Sequence, residues 1–184
     1  MSIRLHGKLV VHEKDGSVLK GITSDFLAKR HTFHLKVRNS ENGFRRIHTP
    51  TLKAVFFVKS FNGNENHHEK MTFPHDPPPG KRVKATFIDG ETMYGYTHMV
   101  NHMQSGFFLV PADPTSNNER VFVVFDALSD LVIEGVRVPL QVGIAAIGFP
   151  GGDRISRTGG AADVDRAGQG ASSGSPHILV NQMR

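Results

Sequence analysis

The chain has 184 residues, a net charge of +5 with neutral histidines, and no cysteine, which excludes disulfides, thiolate metal ligands and cysteine nucleophiles. Apolar residues make up 38% and charged residues 21%, as in a soluble globular protein. No segment approaches the roughly 20 apolar residues that span a bilayer, and the first residues lack the apolar core of a secretory signal. We therefore expect a cytoplasmic protein without a membrane partner.

The first part of the chain reads as a set of short strands. Asp15-Gly16 is a tight hairpin signal, because glycine readily adopts a positive φ there. Gly21 lies inside the strand that follows, and interior glycines of this kind mark a sharp bend or bulge. A closing apolar run covers residues 52–58.

The pattern then returns. Asp89-Gly90, Gly95 and Thr97 repeat the spacing of Asp15-Gly16, Gly21 and Thr23. Residues 81–88 alternate, with Val83, Ala85 and Phe87 on one face of the predicted strand. Residues 121–125 are apolar throughout, as in a strand buried on both faces. The matches extend over more than 40 residues, so we interpret them as an internal repeat.

Two further segments divide the chain. Residues 62–79 are polar and then proline-rich, ending in a triple proline that favours a stiff connection. Residues 136–149 are apolar enough to add a strand, but from Pro150 the chain is rich in glycine and serine and is expected to be disordered. The predicted organisation is a first small barrel at 1–61, a linker at 62–79, a second small barrel at 80–135 and a mostly disordered tail at 136–184.

Both copies resemble known β-barrel families. Residues 14–21, with Asp25 a little beyond, are similar to the opening motif of Sm-like folds, which share their architecture with SH3-like barrels. The line GFFLVPADPTSNNERVFVV at 106–124 resembles an uncharacterised bacterial domain with no established activity. The resemblance implies an all-β fold of two tandem five-stranded Sm/SH3-like barrels.

Sm-like proteins typically bind RNA, often as rings, so the resemblance implies RNA as a partner and a homo-oligomer. In their binding pocket, one loop carries an Asp-x-aromatic-Met-Asn line and another an Arg-Gly pair. The corresponding loop here, residues 25–31, lacks the Asn, and Arg45-Arg46-Ile47-His48 lacks the Gly.

Basic clusters supply the candidate phosphate-binding residues, because lysine and arginine neutralise backbone phosphates and interleaved aromatic rings stack on bases. The alternative is that these cations lie on solvated loop ends and that the aromatic rings belong to the core. The candidates for nucleic-acid or phosphate binding are Lys29, Arg30, Arg45, Arg46, Lys81 and Arg82.

A second candidate site is the loop at 111–120, where Asn117, Asn118 and Arg120 offer hydrogen-bond donors for recognition. The alternative interpretation is a β-turn that sets the pairing of two strands. In that case Arg120 pairs with Asp113 or Glu119.

Histidines number 11, and His67, His68 and His75 cluster in the linker. Imidazole suits zinc, copper or nickel, but the spacing matches no established metal motif and no carboxylate completes it in the sequence. We therefore predict no metal site and no cofactor.

The sequence arranges no nucleophile beside a base, and its glycine pairs lack the Lys-Ser/Thr sequel of a phosphate-binding loop. We therefore predict a non-enzymatic binding or adaptor protein, with RNA or another phosphate-bearing ligand as the first partner class. The alternative is a protein-interaction module that uses barrel edges or the inter-barrel groove. A PilZ-like cyclic dinucleotide receptor ranks third, because the motifs of that family do not occur in the expected order.

Overall fold

A computed structural model describes residues 5–40, 43–63 and 66–140, and this part of the chain is all-β, as expected. None of its described helical turns is long or apolar enough to cross a membrane. Two single 3-10 turns, Thr49–Thr51 and Phe125–Ala127, interrupt the strands. The strands are β1 Leu5–Glu13, β2 Val18–Phe26, β3 Thr32–Val37, β4 Phe44–His48, β5 Leu52–Val58, β6 Lys81–Phe87, β7 Thr92–Thr97, β8 Gly106–Pro111, β9 Asn118–Val124, β10 Leu128–Ile133 and β11 Val136–Arg137.

All eleven strands belong to one open antiparallel sheet, in the order β11-β10-β6-β7-β8-β9-β5-β1-β2-β3-β4. The first five strands and the next five have the same order of neighbours. In each group the fifth strand pairs with the first, and the first, second, third and fourth follow in sequence. The groups are joined where β5 pairs with β9. The sheet is therefore continuous across the two groups.

Local sequence explains where the strands begin and end. Gly16 and Gly90 have φ values of +90° and +87°, the conformation that the Asp-Gly turns require. In the strands next to these turns, apolar residues alternate with polar ones. In β6 the side chains of Val83, Ala85 and Phe87 are buried, so the predicted inward face is confirmed.

Two glycines permit close strand contact. A Cβ atom on Gly21 would lie 2.3 Å from the carbonyl oxygen of Lys36, and one on Gly95 would lie 2.3 Å from that of Val110. Each glycine belongs to a ladder of only two residue pairs, after which the strands diverge. The glycines therefore allow the second strand of each group to turn sharply against the third.

The core is deepest where the two groups meet. Every residue of β5 is buried, and the apolar run from Val121 to Phe125 is buried as predicted. Phe26, from β2, makes edge-to-face contacts with Phe57 and Phe122 across this junction, at ring separations of 5.5 and 5.2 Å. Burying each such ring contributes about 1.5–3 kcal/mol, so the junction is a substantial part of the core.

The segments outside the two groups contribute little regular structure among the described residues. Residues 62–63 and 66–79 contain no strand, in keeping with a linker. Val136–Arg137, at the start of the predicted tail, pairs with β10 as β11. Disorder is predicted for the tail, and its residues from 141 onward lie outside the described part of the chain.

Candidate functional site

The first predicted basic pair, Lys29 and Arg30, is exposed in the turn between β2 and β3. The backbone of Arg30 is held at both ends: its N–H donates to the Leu27 carbonyl at 2.9 Å, and its carbonyl accepts from Thr49 Oγ1 at 3.3 Å. The turn is thus ordered while both cationic side chains remain accessible.

The second pair, Arg45 and Arg46, is split by strand geometry. In β4, Arg46 lies opposite His34 and Arg45 opposite the buried Leu35. Adjacent side chains of a strand point to opposite faces of the sheet. Arg45 therefore lies on the face of β4 that carries the core residues, and Arg46 lies on the opposite, outer face.

The third pair, Lys81 and Arg82, lies in β6, in the other strand group. Arg82 places its guanidinium carbon 5.5 Å from the ring centre of Phe73, and Lys84 places its ammonium 5.9 Å from that of Tyr94. The strands β7, β8, β9, β5 and β1 separate β6 from β2 in the sheet order. The structure does not bring all six predicted phosphate-binding residues together.

A different set of side chains forms a row across the outer face of the first group. Lys8 pairs with Ile22, Ile22 with Lys36, and Lys36 with Phe44, so the row crosses β1, β2, β3 and β4. All four side chains are exposed, with Ile22 at 52% and Phe44 at 71%. Directly paired residues lie on the same side of a sheet, so the row is a continuous strip of charge and apolar surface.

Three more cations border this row. Arg46 lies two residues from Phe44 on the same face of β4, and Lys20 lies two residues from Ile22 on β2. Arg38 stacks over the ring of Phe61 at 5.4 Å. We call the surface formed by Lys8, Lys20, Ile22, Lys36, Arg38, Phe44, Arg46 and Phe61 the outer basic face.

A shallow cavity of about 580 Å³ opens on this face. Ile22 and Phe61 supply apolar walls, and Lys36 and Arg38 supply charge. Lys20 Nζ donates to the Phe61 carbonyl at 3.4 Å, which ties the start of the linker to β2. The cavity is therefore built from residues that are far apart in sequence, and it combines apolar contact area with cations.

Asp25 lies next to the outer basic face, and its carboxylate is engaged in hydrogen bonds. It accepts hydrogen bonds from the backbone N–H of His34 at 2.9 Å and from Thr23 Oγ1 at 3.2 Å, and its second oxygen lies 2.8 Å from His34 Nδ1. Desolvation raises the pKa of Asp25, but these hydrogen bonds outweigh it and hold the pKa below its usual value. Within the described residues, none of the five cations of the face forms an ion pair with a carboxylate.

The predicted recognition residues take part in strand pairing and in the turn before β9. Asn117 accepts from the Ser60 N–H at 3.1 Å and donates to the Ser60 carbonyl at 2.9 Å, while the Asn118 N–H donates to Ser116 Oγ at 3.2 Å. Arg120 lies opposite Phe57 and stacks over its ring at 5.4 Å, without the expected partner Asp113 or Glu119. These contacts help to hold β9 against β5, and a role of the loop in recognition stays a prediction.

One group of potential metal ligands lies away from this face. His67, Glu69 and Asp113 place their ligand atoms within 4.8 Å of one another. The sequence analysis noted His67 but expected no carboxylate to complete a site. Asp113 is 46 residues away in sequence, and only the docking of the linker on the β8–β9 turn brings it close.

Sequence reasoning missed Lys8, Lys20, Lys36, Arg38 and Phe61. The alternation in residues 32–37, where Phe33 and Leu35 are apolar and His34 and Lys36 polar, carried enough signal to place Lys36 outward. Nothing local predicts that Phe61 approaches Arg38, because that contact depends on the path of the chain after β5.

Comparison with known proteins gives one match. The sequence model described as "Family of unknown function (DUF6982)" matches residues 5–135, which include both strand groups and the linker between them. No curated protein matches the chain, and no solved structure does.

Proposed function

We propose that this chain, which belongs to the DUF6982 family, binds single-stranded RNA through the outer basic face. The observation that carries the proposal is the row Lys8–Ile22–Lys36–Phe44, in which cations alternate with exposed apolar groups. An RNA ligand agrees with the cytoplasmic location expected from the sequence. The proposed role is binding, without a chemical step.

The charge arrangement suits a polyanion. Lys8 and Lys36 lie two strands apart, a distance of about 10 Å, which is close to the Debye length at physiological salt. A phosphate backbone that crosses the strands therefore meets overlapping positive potentials from these lysines and from Arg46. Among the described residues, none of these cations forms an ion pair with a carboxylate that would offset its charge.

The apolar groups suit unstacked bases. Phe44 is 71% exposed, and no described strand or turn covers its ring. A large apolar side chain is therefore available to a ligand. Stacking of a base on such a ring contributes about 1–3 kcal/mol and tolerates any sequence. Together with Phe61 beside Arg38, Phe44 favours a single strand over a duplex, whose bases are not available for stacking.

We further propose that the two strand groups are two small Sm/SH3-like barrels joined edge to edge. The shared order of neighbours in the two groups supports this. So does the position of Gly21 and Gly95, each in the second strand of its group and in close contact with the third.

We expect the Lys8→Ala/Lys36→Ala/Arg46→Ala variant to bind a fluorescein-labelled 12-nucleotide RNA of mixed sequence about tenfold or more weakly than the wild type. Fluorescence polarisation at several salt concentrations measures this. Each single-strand phosphate contact contributes about 0.7 to the slope of log K against log salt, so the slope should fall by about 2. Phe44→Ala should weaken binding but keep the slope.

The matched control is Lys81→Ala/Arg82→Ala/Lys84→Ala, which removes the same charge from β6. This control should bind RNA within about twofold of the wild type, since its cations lie elsewhere in the sheet. Equal losses in the two triple variants would contradict a localised face and indicate attraction by net charge alone. Absence of wild-type binding at low salt would refute RNA binding altogether.

A protein-binding role is the second candidate, because β4 is the terminal strand of the sheet order and pairs only with β3 among the described strands. An unpaired edge next to the exposed Phe44 can accept a strand from another chain. This role would be favoured if the wild type does not bind RNA but captures a protein partner, and if Phe44→Ala abolishes that capture. A cyclic dinucleotide included as a competitor in the polarisation assay tests the third candidate.

A further inference from the structure

We propose that His67, Glu69 and Asp113 form a binding site for Zn²⁺. His67 Nε2 lies 3.3 Å from an Asp113 carboxylate oxygen and 3.4 Å from a Glu69 carboxylate oxygen. Zinc bonds to histidine nitrogen and carboxylate oxygen are about 2.0–2.2 Å long, so neighbouring ligands of a tetrahedral zinc lie about 3.3–3.5 Å apart. The two measured separations match two edges of such a tetrahedron.

Asp113 is a built-in part of this site. Its side chain is fully buried, and one oxygen accepts from Thr115 N–H at 2.9 Å and Thr115 Oγ1 at 2.6 Å. The oxygen that faces His67 also accepts from the Lys70 N–H at 3.0 Å. These donors orient the carboxylate in the way that outer hydrogen bonds orient metal ligands.

His67 supplies the observation that points to a cation. Its side chain is only 13% exposed, and the buried Nε2 has no hydrogen-bond partner. Nε2 lies within 3.4 Å of a carboxylate oxygen of both residues without meeting the geometry of a hydrogen bond to either. A cation between these three atoms would give Nε2 and both oxygens a common partner.

Charge favours an ion at that position. Two carboxylates lie beside one imidazole, and Ser116 Oγ donates a hydrogen bond to Glu69 at 3.2 Å. A divalent cation would neutralise both carboxylates while His67 stays neutral, and imidazole with two carboxylates is a ligand set that zinc accepts. The fourth position would be left for water or an external ligand.

Such an ion would fasten the linker to the second strand group. His67 and Glu69 belong to the linker, and Asp113 belongs to the turn between β8 and β9. The site shares no residue with the outer basic face, so its test and the RNA test stand independently.

The experiment uses the full-length chain, freed of any histidine tag and of metal by chelation followed by dialysis. Zn²⁺ is titrated by isothermal calorimetry, and Co²⁺ is titrated in parallel by visible absorption, because the d–d bands of cobalt report coordination geometry. We expect one Zn²⁺ per chain with a Kd in the micromolar range or below, and a Co²⁺ spectrum of four- or five-coordinate type.

Glu69→Gln, which keeps the shape of the side chain, and His67→Ala should each weaken zinc binding by at least about tenfold. The matched control is His68→Ala, which removes the adjacent exposed histidine and should leave the Kd within about twofold. Circular dichroism of each variant checks folding. Absence of wild-type binding, or binding that Glu69→Gln and His67→Ala leave unchanged, would overturn the proposal.

Discussion

Gly95→Ala should destabilise the protein by about 3 kcal/mol, one of the two largest effects we expect. The new Cβ would lie 2.3 Å from the Val110 carbonyl oxygen and 2.4 Å from Leu109 Cδ2, far inside van der Waals contact. The first obstacle is backbone, so a change of side-chain rotamer cannot relieve it. The strands β7 and β8 must separate, which breaks the short ladder between Gly95 and Pro111. Thermal melting followed by circular dichroism should show a fall in Tm of roughly 10 °C.

Gly21→Ala should have an effect of similar size, because its Cβ would lie 2.3 Å from the Lys36 carbonyl oxygen. Gly7→Ala is the matched control: its Cβ would contact only Phe57 Cδ1, at an ordinary 3.6 Å, and should change the stability by no more than about 0.5 kcal/mol. If Gly95→Ala melts within about 2 °C of Gly7→Ala, the close approach of the strands is not required for folding.

The second large effect concerns His12, which should make the protein less stable as the pH falls from about 6.5 to about 4. Desolvation, followed by the positive charge of Lys53, lowers the pKa of His12 to about 4, and Asp89 only partly opposes this. In the unfolded chain the pKa is near 6.5. Between these values the unfolded state binds more protons than the folded state, so the free energy of unfolding decreases with decreasing pH. The loss is of the order of 3 kcal/mol when complete, and it is absent above the unfolded pKa.

Urea unfolding at pH 4 to 7.5, with a chelator present, measures this dependence. In His12→Leu the part of the slope that His12 contributes should disappear, so the stability of the variant relative to the wild type should rise as the pH falls. His75→Leu, in the linker, is the control for loss of an imidazole. A wild-type slope that survives in His12→Leu but is lost in His75→Leu would contradict the assignment.

The surroundings of His12 explain why its burial matters for the fold. Its ring packs on Phe56 with centroids 4.7 Å apart, at the junction between the strand groups. The nearby Lys53 is buried and forms ion pairs with Asp89 and Glu91 on the turn after β6. Protonation of His12 would place a second cation beside Lys53. The pH dependence of stability therefore reports on the contact between the two strand groups.

The candidate site could be predicted only in part. Arg46 was identified from its basic cluster, but its neighbour Arg45 faces the other side of β4, and strand alternation is the reason. Lys8, Lys36 and Phe44 are 8 to 36 residues apart in sequence. Strand register alone places them in one row.

Features that depend only on neighbouring residues follow directly from the sequence. The alternation in β6 predicts which side chains are buried, and the Asp-Gly pairs predict the turns, because both follow from the geometry of a few consecutive residues. The uniform apolar character of residues 121–125 likewise indicates a strand with two covered faces.

Which strands pair with each other does not follow from local sequence and is seen in the folded chain. The pairing of β5 with β9 makes one sheet of two strand groups, and it recruits Asn117 and Arg120 for packing when their chemistry alone would equally suit recognition. The same folding brings Asp113 to His67 across 46 residues. Contacts of this kind depend on the summed packing of the whole core, and no short stretch of sequence carries that information.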